Sequence, residues 1–136
     1  MKLITRDTDY ALRAVCFIAK CKKKIISVSE LVKELKIPRP FLRKILQVLN
    51  KKGILKSYKG KGGGFILTKP INKIFLVDLI EIFQGPLKLN ECFFKKLRCP
   101  NTKTCALRKK ITNIERYVVK ELKSFTLTSL IKEQVE

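Results

Sequence analysis

Three blocks of apolar residues recur at helical spacing within the first fifty positions of the chain. The first block predicts a helix over residues 8–21. Its capping oxygens are expected from Asp7, Thr8 and Asp9. Ser27 and Glu30 form an S-x-x-E capping box, which predicts the start of a second, short helix. The pattern therefore predicts a helical N-terminal half.

The third block, KIPRPFLRKILQVLNKKG, predicts a sharp turn followed by a helix that ends at Gly53. Proline is tolerated in a first helical turn, which suits Pro38 and Pro40. The predicted buried stripe consists of Phe41, Leu42, Ile45, Leu46 and Leu49. The remaining faces carry Arg39, Arg43, Lys44, Gln47 and Lys51. Two short helices, the second basic on its exposed face, are typical of a helix-turn-helix whose second helix enters a DNA major groove.

The β-prone segments ILKSY and GFILT flank a glycine-rich turn over residues 59–64. This pattern predicts a two-stranded wing that presents Lys59 and Lys61 to a phosphate backbone or a minor groove. A nucleotide-binding loop is disfavoured, because the Walker spacing is absent and no helix start follows.

The second half of the chain contains two further helical patterns separated by a segment without apolar periodicity. Residues 74–83 predict a short helix that Gly85 and Pro86 end. From Cys105 onward a narrow apolar seam predicts a long amphipathic helix, followed by a short last helix. The same helix of a second copy covers this seam most simply, although it could also pack on its own N-terminal domain.

These elements predict a mainly α protein with a small β-wing, namely a winged helix-turn-helix plus a long dimerisation helix. The expected domains are a winged helix-turn-helix DNA-binding domain over residues 1–85, a cysteine-bearing loop over 86–104, and a dimerisation helix with a C-terminal short helix over 105–136.

The charge of the chain indicates a polyanionic partner. The formal net charge is +20 over 136 residues, and residues 1–75 hold 19 of the 31 Lys and Arg but only 4 of the 11 Asp and Glu. A composition bias would spread the charge evenly, so the first half is expected to face phosphates. No apolar run long enough for a membrane span and no secretory signal are present, which predicts a cytoplasmic protein without a membrane partner. The chain contains no histidine, paired-carboxylate motif or nucleophile elbow, so no enzyme is expected.

Three of the five cysteines, Cys92, Cys99 and Cys105, occupy one lysine-rich stretch with C-x6-C-x5-C spacing. Structural zinc is disfavoured, because it typically takes closely spaced pairs and the chain has no histidine. The spacing fits either an iron-sulfur cluster or reducible free thiols, and it leaves these two alternatives open. In a cluster, three cysteines leave one iron short of a ligand, and the missing donor could be a carboxylate, water or an external molecule. Cys16 lies in an apolar run and is expected to be a core residue.

Four segments in order carry a resemblance to a known family: TDYALRA, KGKGGGF, TCALRKKI and SFTLTSLIKEQ. Together they resemble the Rrf2 family of winged-helix transcription regulators over essentially the whole chain. The resemblance implies a homodimer that binds a palindromic operator in double-stranded DNA and carries an iron-sulfur cluster on the cysteine loop. It is greatest to the nitric-oxide-sensing NsrR members, with the IscR members next.

The resemblance also implies a ligand set. Cys92, Cys99 and Cys105 correspond to the family's cluster thiolates. IscR-like members have a histidine where this chain has Arg108, whereas NsrR-like members can use an aspartate that matches Asp9. Asp7 and an external ligand are the alternatives to Asp9. A 4Fe-4S cluster is favoured and a 2Fe-2S cluster is possible, and its loss or modification by nitric oxide or redox change would relieve repression. A cluster-free regulator of the same family that senses thiols or a small molecule is the alternative function.

Overall fold

The computed structural model describes residues 2–89 and 105–135. The helices are α1 (Arg6–Lys20), α2 (Val28–Leu35), α3 (Arg39–Lys51), α4 (Leu76–Gln84), α5 (Ala106–Lys123) and α6 (Leu127–Val135). Two strands, β1 (Leu55–Tyr58) and β2 (Gly64–Leu67), and a 3₁₀ turn (Ile71–Lys73) lie between α3 and α4. The predicted fold class, mainly helical with a small two-stranded antiparallel sheet, is confirmed.

Helix α1 begins two residues earlier than the sequence pattern predicts. Its N-cap is Thr5, whose hydroxyl accepts a hydrogen bond from the Thr8 backbone N–H. The prediction that Asp7, Thr8 and Asp9 supply the capping oxygens was therefore wrong. Asp7 and Asp9 instead lie within the first turn, where their negative charge stabilises the positive end of the helix.

The helix-turn-helix forms where the sequence predicts it. The Ser27 hydroxyl accepts a hydrogen bond from the Glu30 backbone N–H at 3.2 Å, which caps the start of α2. Lys36 ends α2 in the left-handed conformation with φ of 56°, and this reverses the chain toward α3. Pro38 is the N-cap residue of α3 and Pro40 lies in its first turn, so neither proline removes a helical hydrogen bond.

The wing is an antiparallel pair in which Leu55 lies opposite Leu67 and Tyr58 lies opposite Gly64. Ile26, just before α2, extends this pair. Its backbone N–H donates to the Phe65 carbonyl at 3.1 Å, and the Phe65 N–H donates to the Ile26 carbonyl at 2.9 Å. The wing and the start of α2 are therefore joined by backbone hydrogen bonds.

One hydrophobic core joins the N-terminal elements to the last helix. It contains buried side chains from α1, α3, the wing and α4, and also Leu127 of α6, which is fully buried. Two backbone hydrogen bonds hold α6 in place, from the Leu76 N–H to the Phe125 carbonyl and from the Leu127 N–H to the Ile74 carbonyl, both 3.0 Å. The C-terminal helix thus packs on the winged-helix unit, while the predicted division into three segments stays a prediction.

Helix α5 is largely exposed in the single chain. It packs on α4, yet none of its side chains is fully buried, and Leu107 and Tyr117 are 67% and 66% exposed. Within residues 2–89 and 105–135, no helix combines the length and the hydrophobicity that a membrane crossing requires.

Candidate nucleic-acid interface and cluster site

The predicted recognition helix, α3, has one buried face and one charged face. Leu42, Ile45, Leu46 and Leu49 are buried in the core. The three predicted DNA contacts, Arg39, Arg43 and Lys44, are all exposed. Because the aliphatic side chains fix the rotation of the helix, the basic side chains are presented to solvent on the other side.

Arg39 is restrained by the helix that precedes it. One guanidinium nitrogen, Nη2, donates to the Ser29 hydroxyl of α2 at 3.0 Å. Arg43 and Lys44 have no salt bridge within the part of the chain that the structure describes. These two cations are therefore available for an external anion.

Phe41 does not occupy the buried stripe where the sequence pattern placed it. Its side chain is 43% exposed, and the Arg6 guanidinium carbon lies 4.8 Å from the centre of its ring. The prediction was wrong because the aliphatic side chains of α3 alone form its buried face, and the ring lies at the surface against a cation from α1.

The wing tip exposes Lys59 and Lys61 as predicted from the turn sequence. Gly60 and Gly62 have φ of 92° and 79°, so this turn needs residues that tolerate the left-handed region. The Gly63 N–H donates to the Gly60 carbonyl at 3.0 Å, which closes the turn. The two lysines therefore lie on a tight turn beside the helix-turn-helix.

Of the three predicted cluster thiolates, the structure describes one. Cys92 and Cys99 lie outside the described residues. Cys105 is half-buried and is the N-cap residue of α5, where its carbonyl accepts a hydrogen bond from the Lys109 N–H at 3.2 Å. The positive end of α5 suits an anionic ligand at this position, and no acidic residue occupies the first turn. The donor chemistry of Cys105 therefore fits a cluster.

The cysteine segment is attached to α5 on both sides. The backbone N–H of Leu89, near the start of this segment (residues 86–104), donates to Glu115 Oε1 in the middle of α5 at 2.6 Å. Cys105, after it, begins the same helix. Within residues 2–89 and 105–135, no three Cys, Asp or Glu side chains come together to hold a metal ion. A metal centre in this chain would thus need donors from residues 90–104 or from a second chain.

The predicted carboxylate donor, Asp9, lies in α1 and is accessible. Its Oδ2 forms a salt bridge with Arg13 Nε at 3.0 Å, and its side chain is 44% exposed. An exposed ion pair of this kind contributes little to stability, so Asp9 can exchange Arg13 for another partner at small cost. Asp7, the alternative donor, is exposed two residues earlier, on a different face of α1.

A network around Gln84 was not foreseen from the sequence, because no local motif signals it. Gln84 Oε1 accepts from the Thr5 backbone N–H at 2.9 Å and from the buried Thr8 hydroxyl at 2.6 Å. Gln84 Nε2 donates to the Leu3 carbonyl at 3.1 Å. The residue that ends α4, just before the cysteine segment, is thereby fixed to the start of α1.

Cys16 and Cys21 lie away from this region of the sequence. Cys16 is buried as predicted, and desolvation raises the pKa of its thiol while Lys20 lowers it to a lesser extent. Cys21, at the end of α1, is half-buried.

Comparison with known proteins assigns the family. The family model for Rrf2, described as an iron-dependent transcriptional regulator, matches residues 4–133. A protein of Aquifex aeolicus (strain VF5) named as an HTH-type transcriptional regulator is 34% identical over 132 residues, covering 95% of this chain and 92% of the relative. Protein aau3 of Rhizobium meliloti (strain 1021) is 27% identical over 130 residues, covering 95% and 84%.

Two solved structures share the fold. CymR (YrzC), the global cysteine regulator of B. subtilis, superimposes with a TM-score of 0.79 at 24% identity, covering 98% of each chain. IscR of T. potens superimposes with a TM-score of 0.68 at 24% identity, covering 98% of this chain and 88% of the other. Rrf2 regulators bind DNA, generally as dimers, and are not enzymes. With a family match that spans nearly all of its length and a winged helix that carries the expected basic face, the chain belongs to the Rrf2 family of DNA-binding transcription regulators.

Proposed function

We propose that this chain is an iron-sulfur-dependent repressor that responds to nitric oxide or to redox and iron status. The observation that supports this most is the position of Cys105. It joins the cysteine segment to the long helix α5, and both described ends of that segment contact α5. A change in ligation at this thiol therefore acts directly on the start of the helix.

The DNA side of the proposal uses the exposed faces of α3 and the wing. Arg43 and Lys44 enter the major groove together with Arg39, and Arg43 is the candidate for a bidentate contact to guanine. Lys59 and Lys61 bind the backbone or the minor groove. Support comes from their exposure and from the backbone hydrogen bonds that hold the wing to the helix-turn-helix.

The cluster side uses Cys92, Cys99 and Cys105, with Asp9 as the fourth donor and Asp7 or an external molecule as alternatives. A bound cluster, 4Fe-4S in preference to 2Fe-2S, supplies a centre that reacts with nitric oxide and oxidants. Asp9 supports this role through its accessibility and its weak, exposed pairing with Arg13.

The exposed apolar side chains of α5 support a homodimer. Leu107 and Ile114 lie on the predicted seam, and both are exposed in the single chain. Burying large apolar side chains against a second copy removes apolar surface from water, which favours association. A two-fold dimer matches a palindromic operator in double-stranded DNA, and such a regulator acts in the cytoplasm.

Anaerobic purification followed by native mass spectrometry tests the cluster and the dimer together. We expect a dimer mass with one cluster per chain, and a broad visible absorption band. Cys105→Ser should remove the band, whereas the matched control Cys21→Ser, which replaces another half-buried thiol, should keep it. A colourless wild-type protein with full operator affinity contradicts the proposal.

Treatment of the anaerobic protein with a nitric oxide donor tests the signal. Operator affinity should fall for wild type and remain unchanged for Cys105→Ser, which has no cluster to lose. Equal affinity of the treated and untreated wild-type protein would rule out nitric oxide sensing.

Sequence reading by α3 is tested on a duplex selected from random DNA. Arg43→Ala should cost about 1 to 3 kcal/mol on the selected site and little on unrelated duplex, because a base contact is lost. Lys61→Ala should weaken both duplexes alike and lower the salt slope by about one unit. If Arg43→Ala also weakens both duplexes alike, Arg43 reads no base.

A second candidate function is a cluster-free regulator that senses thiols or a small molecule. The observation that favours it is the fold similarity to CymR over 98% of both chains. This function predicts a colourless dimer whose operator affinity changes with thiol reagents or a small molecule and is indifferent to iron.

A further inference from the structure

We propose that Arg6 is a further DNA-backbone contact, and that Phe41 holds its guanidinium beside the leading end of the recognition helix. The inference rests on the proposed role of α3 in the major groove. It names a phosphodiester as the ligand of a residue outside both the helix-turn-helix and the wing.

The stability of α1 gives no reason for an arginine at this position. Arg6 is the first residue of the helix, where the positive end of the helix dipole disfavours a cation. The other charged residues of the first turn, Asp7 and Asp9, are acidic and follow the expected preference. The stability of α1 therefore does not explain the single cation there.

The nearest partner in the structure is the ring of Phe41. The distance of 4.8 Å from the guanidinium carbon to the ring centre is within the range of a cation-π contact. Phe41 lies in the first turn of α3 and keeps 43% of its surface exposed. The first turn of a recognition helix is the part that approaches the bases, so Arg6 is placed at the end of α3 that meets DNA.

The charge of Arg6 is not neutralised by a carboxylate in the described part of the chain. Asp9 pairs with Arg13 instead, and Glu30 pairs with Lys23. A guanidinium held over a ring still has N–H donors for other partners, and these donors match the oxygens of a phosphate.

The backbone that carries Arg6 is also fixed. Thr5 and Thr8, on either side of it, both bond to Gln84 Oε1 at 2.9 and 2.6 Å. The ring restrains the side chain and Gln84 restrains the turn. Little conformational freedom is therefore lost when Arg6 binds a phosphate. Such a contact fixes the position of the protein on the duplex and carries no sequence information.

The test is the salt dependence of binding to a duplex of random sequence, which requires no knowledge of the operator. Arg6→Ala should lower the slope of log affinity against log salt by about one unit. Arg6→Lys retains the charge, so its slope should stay close to that of wild type. Phe41→Leu removes the aromatic ring that holds the guanidinium, so its slope should fall between those of wild type and Arg6→Ala. Arg116→Ala removes an exposed arginine from α5 and serves as the charge-matched control, with no change in slope expected.

A thermal unfolding scan separates this role from a structural one. Arg6→Ala relieves an unfavourable charge at a helix start while it removes one cation-π contact, so the midpoint should stay within a few degrees of wild type. Lower DNA affinity with an unchanged midpoint supports the proposal. A slope equal to that of Arg116→Ala overturns it.

Arg43→Ala and Arg6→Ala, both measured on the duplex selected from random DNA, distinguish failure of this inference from failure of the proposed interface. If Arg43→Ala weakens binding and Arg6→Ala does not, Arg6 makes no contact while α3 remains the reading helix. If neither change weakens binding, both the interface and the inference are wrong. If Arg6→Ala lowers the slope and Phe41→Leu does not, the platform role of Phe41 is wrong.

Discussion

Replacing Gln84 with alanine should destabilise the protein, because this one side chain joins α4 to the start of α1. The substitution removes the two hydrogen bonds that Gln84 Oε1 accepts from the Thr5 N–H and the Thr8 hydroxyl. It also removes the hydrogen bond that Gln84 Nε2 donates to the Leu3 carbonyl. Thr8 is fully buried, so its hydroxyl cannot turn to water. It keeps only the contact of 3.2 Å with the Thr5 hydroxyl.

The magnitude follows from counting the bonds that water cannot replace. A neutral hydrogen bond contributes about 1 kcal/mol net, and an unsatisfied buried group costs somewhat more. The Leu3 carbonyl belongs to an exposed residue and is resolvated, so two of the three bonds count. We expect Gln84→Ala to lower the free energy of unfolding by about 2 kcal/mol, and Thr8→Val by about 1 kcal/mol.

Urea unfolding at fixed protein concentration measures the effect, since dimerisation makes stability depend on concentration. With a slope of about 2 kcal/mol per M, the midpoint of Gln84→Ala should shift by about 1 M. The control Gln47→Ala, which truncates an exposed glutamine of α3, should stay within about 0.5 kcal/mol of wild type. The double variant of Thr8 and Gln84 should lose less than the sum of the single losses. A midpoint for Gln84→Ala equal to that of Gln47→Ala would refute the reasoning.

Three further predictions concern the wing, the last helix and the buried thiol. Gly64→Ala should destabilise the wing strongly, because a Cβ there lies 2.2 Å from the Ile26 carbonyl oxygen. A Cβ at Gly62 meets no atom within 4 Å, so Gly62→Ala should lower the thermal midpoint less. Equal losses in thermal midpoint would contradict this reasoning. Leu127→Ala should cost about 2 to 5 kcal/mol in urea unfolding through a cavity in the core, and a loss below 1 kcal/mol would show that α6 does not pack there. Burial raises the pKa of the Cys16 thiol, so its contribution to stability is complete below the ordinary value of 9.0 and is lost as pH rises above it. In Cys16→Ala the free energy of unfolding should therefore fall less steeply as pH rises above 9.0. The same fall in both proteins would show that other groups cause it.

The proposed cluster site depends on information that is partly local and partly not. The cysteine spacing and the absence of histidine point to an iron-sulfur site or free thiols from the sequence alone. Where Asp9 lies relative to those thiols is set by packing, and in a dimer by the partner chain. The sequence could name Asp9 only through family resemblance, and its accessible pairing with Arg13 became visible only in the structure.

Local sequence determined the elements of this protein. The aliphatic stripe of α3, the Ser27 cap and the glycine turn of the wing were all predicted, because each depends on interactions within a few residues. The basic faces of α3 and the wing tip follow from the same periodicity, since a helix that buries one side must expose the other.

Tertiary structure decided which residues from distant segments contact one another. Phe41 is apolar and in phase with the core stripe, yet it lies at the surface under Arg6, because neighbouring elements fill the core without it. Gln84 bonds to residues 76 to 81 positions away in sequence, which no local pattern encodes. Periodicity reports which face of an element is apolar, but only the packing of all elements together determines which side chains that face meets.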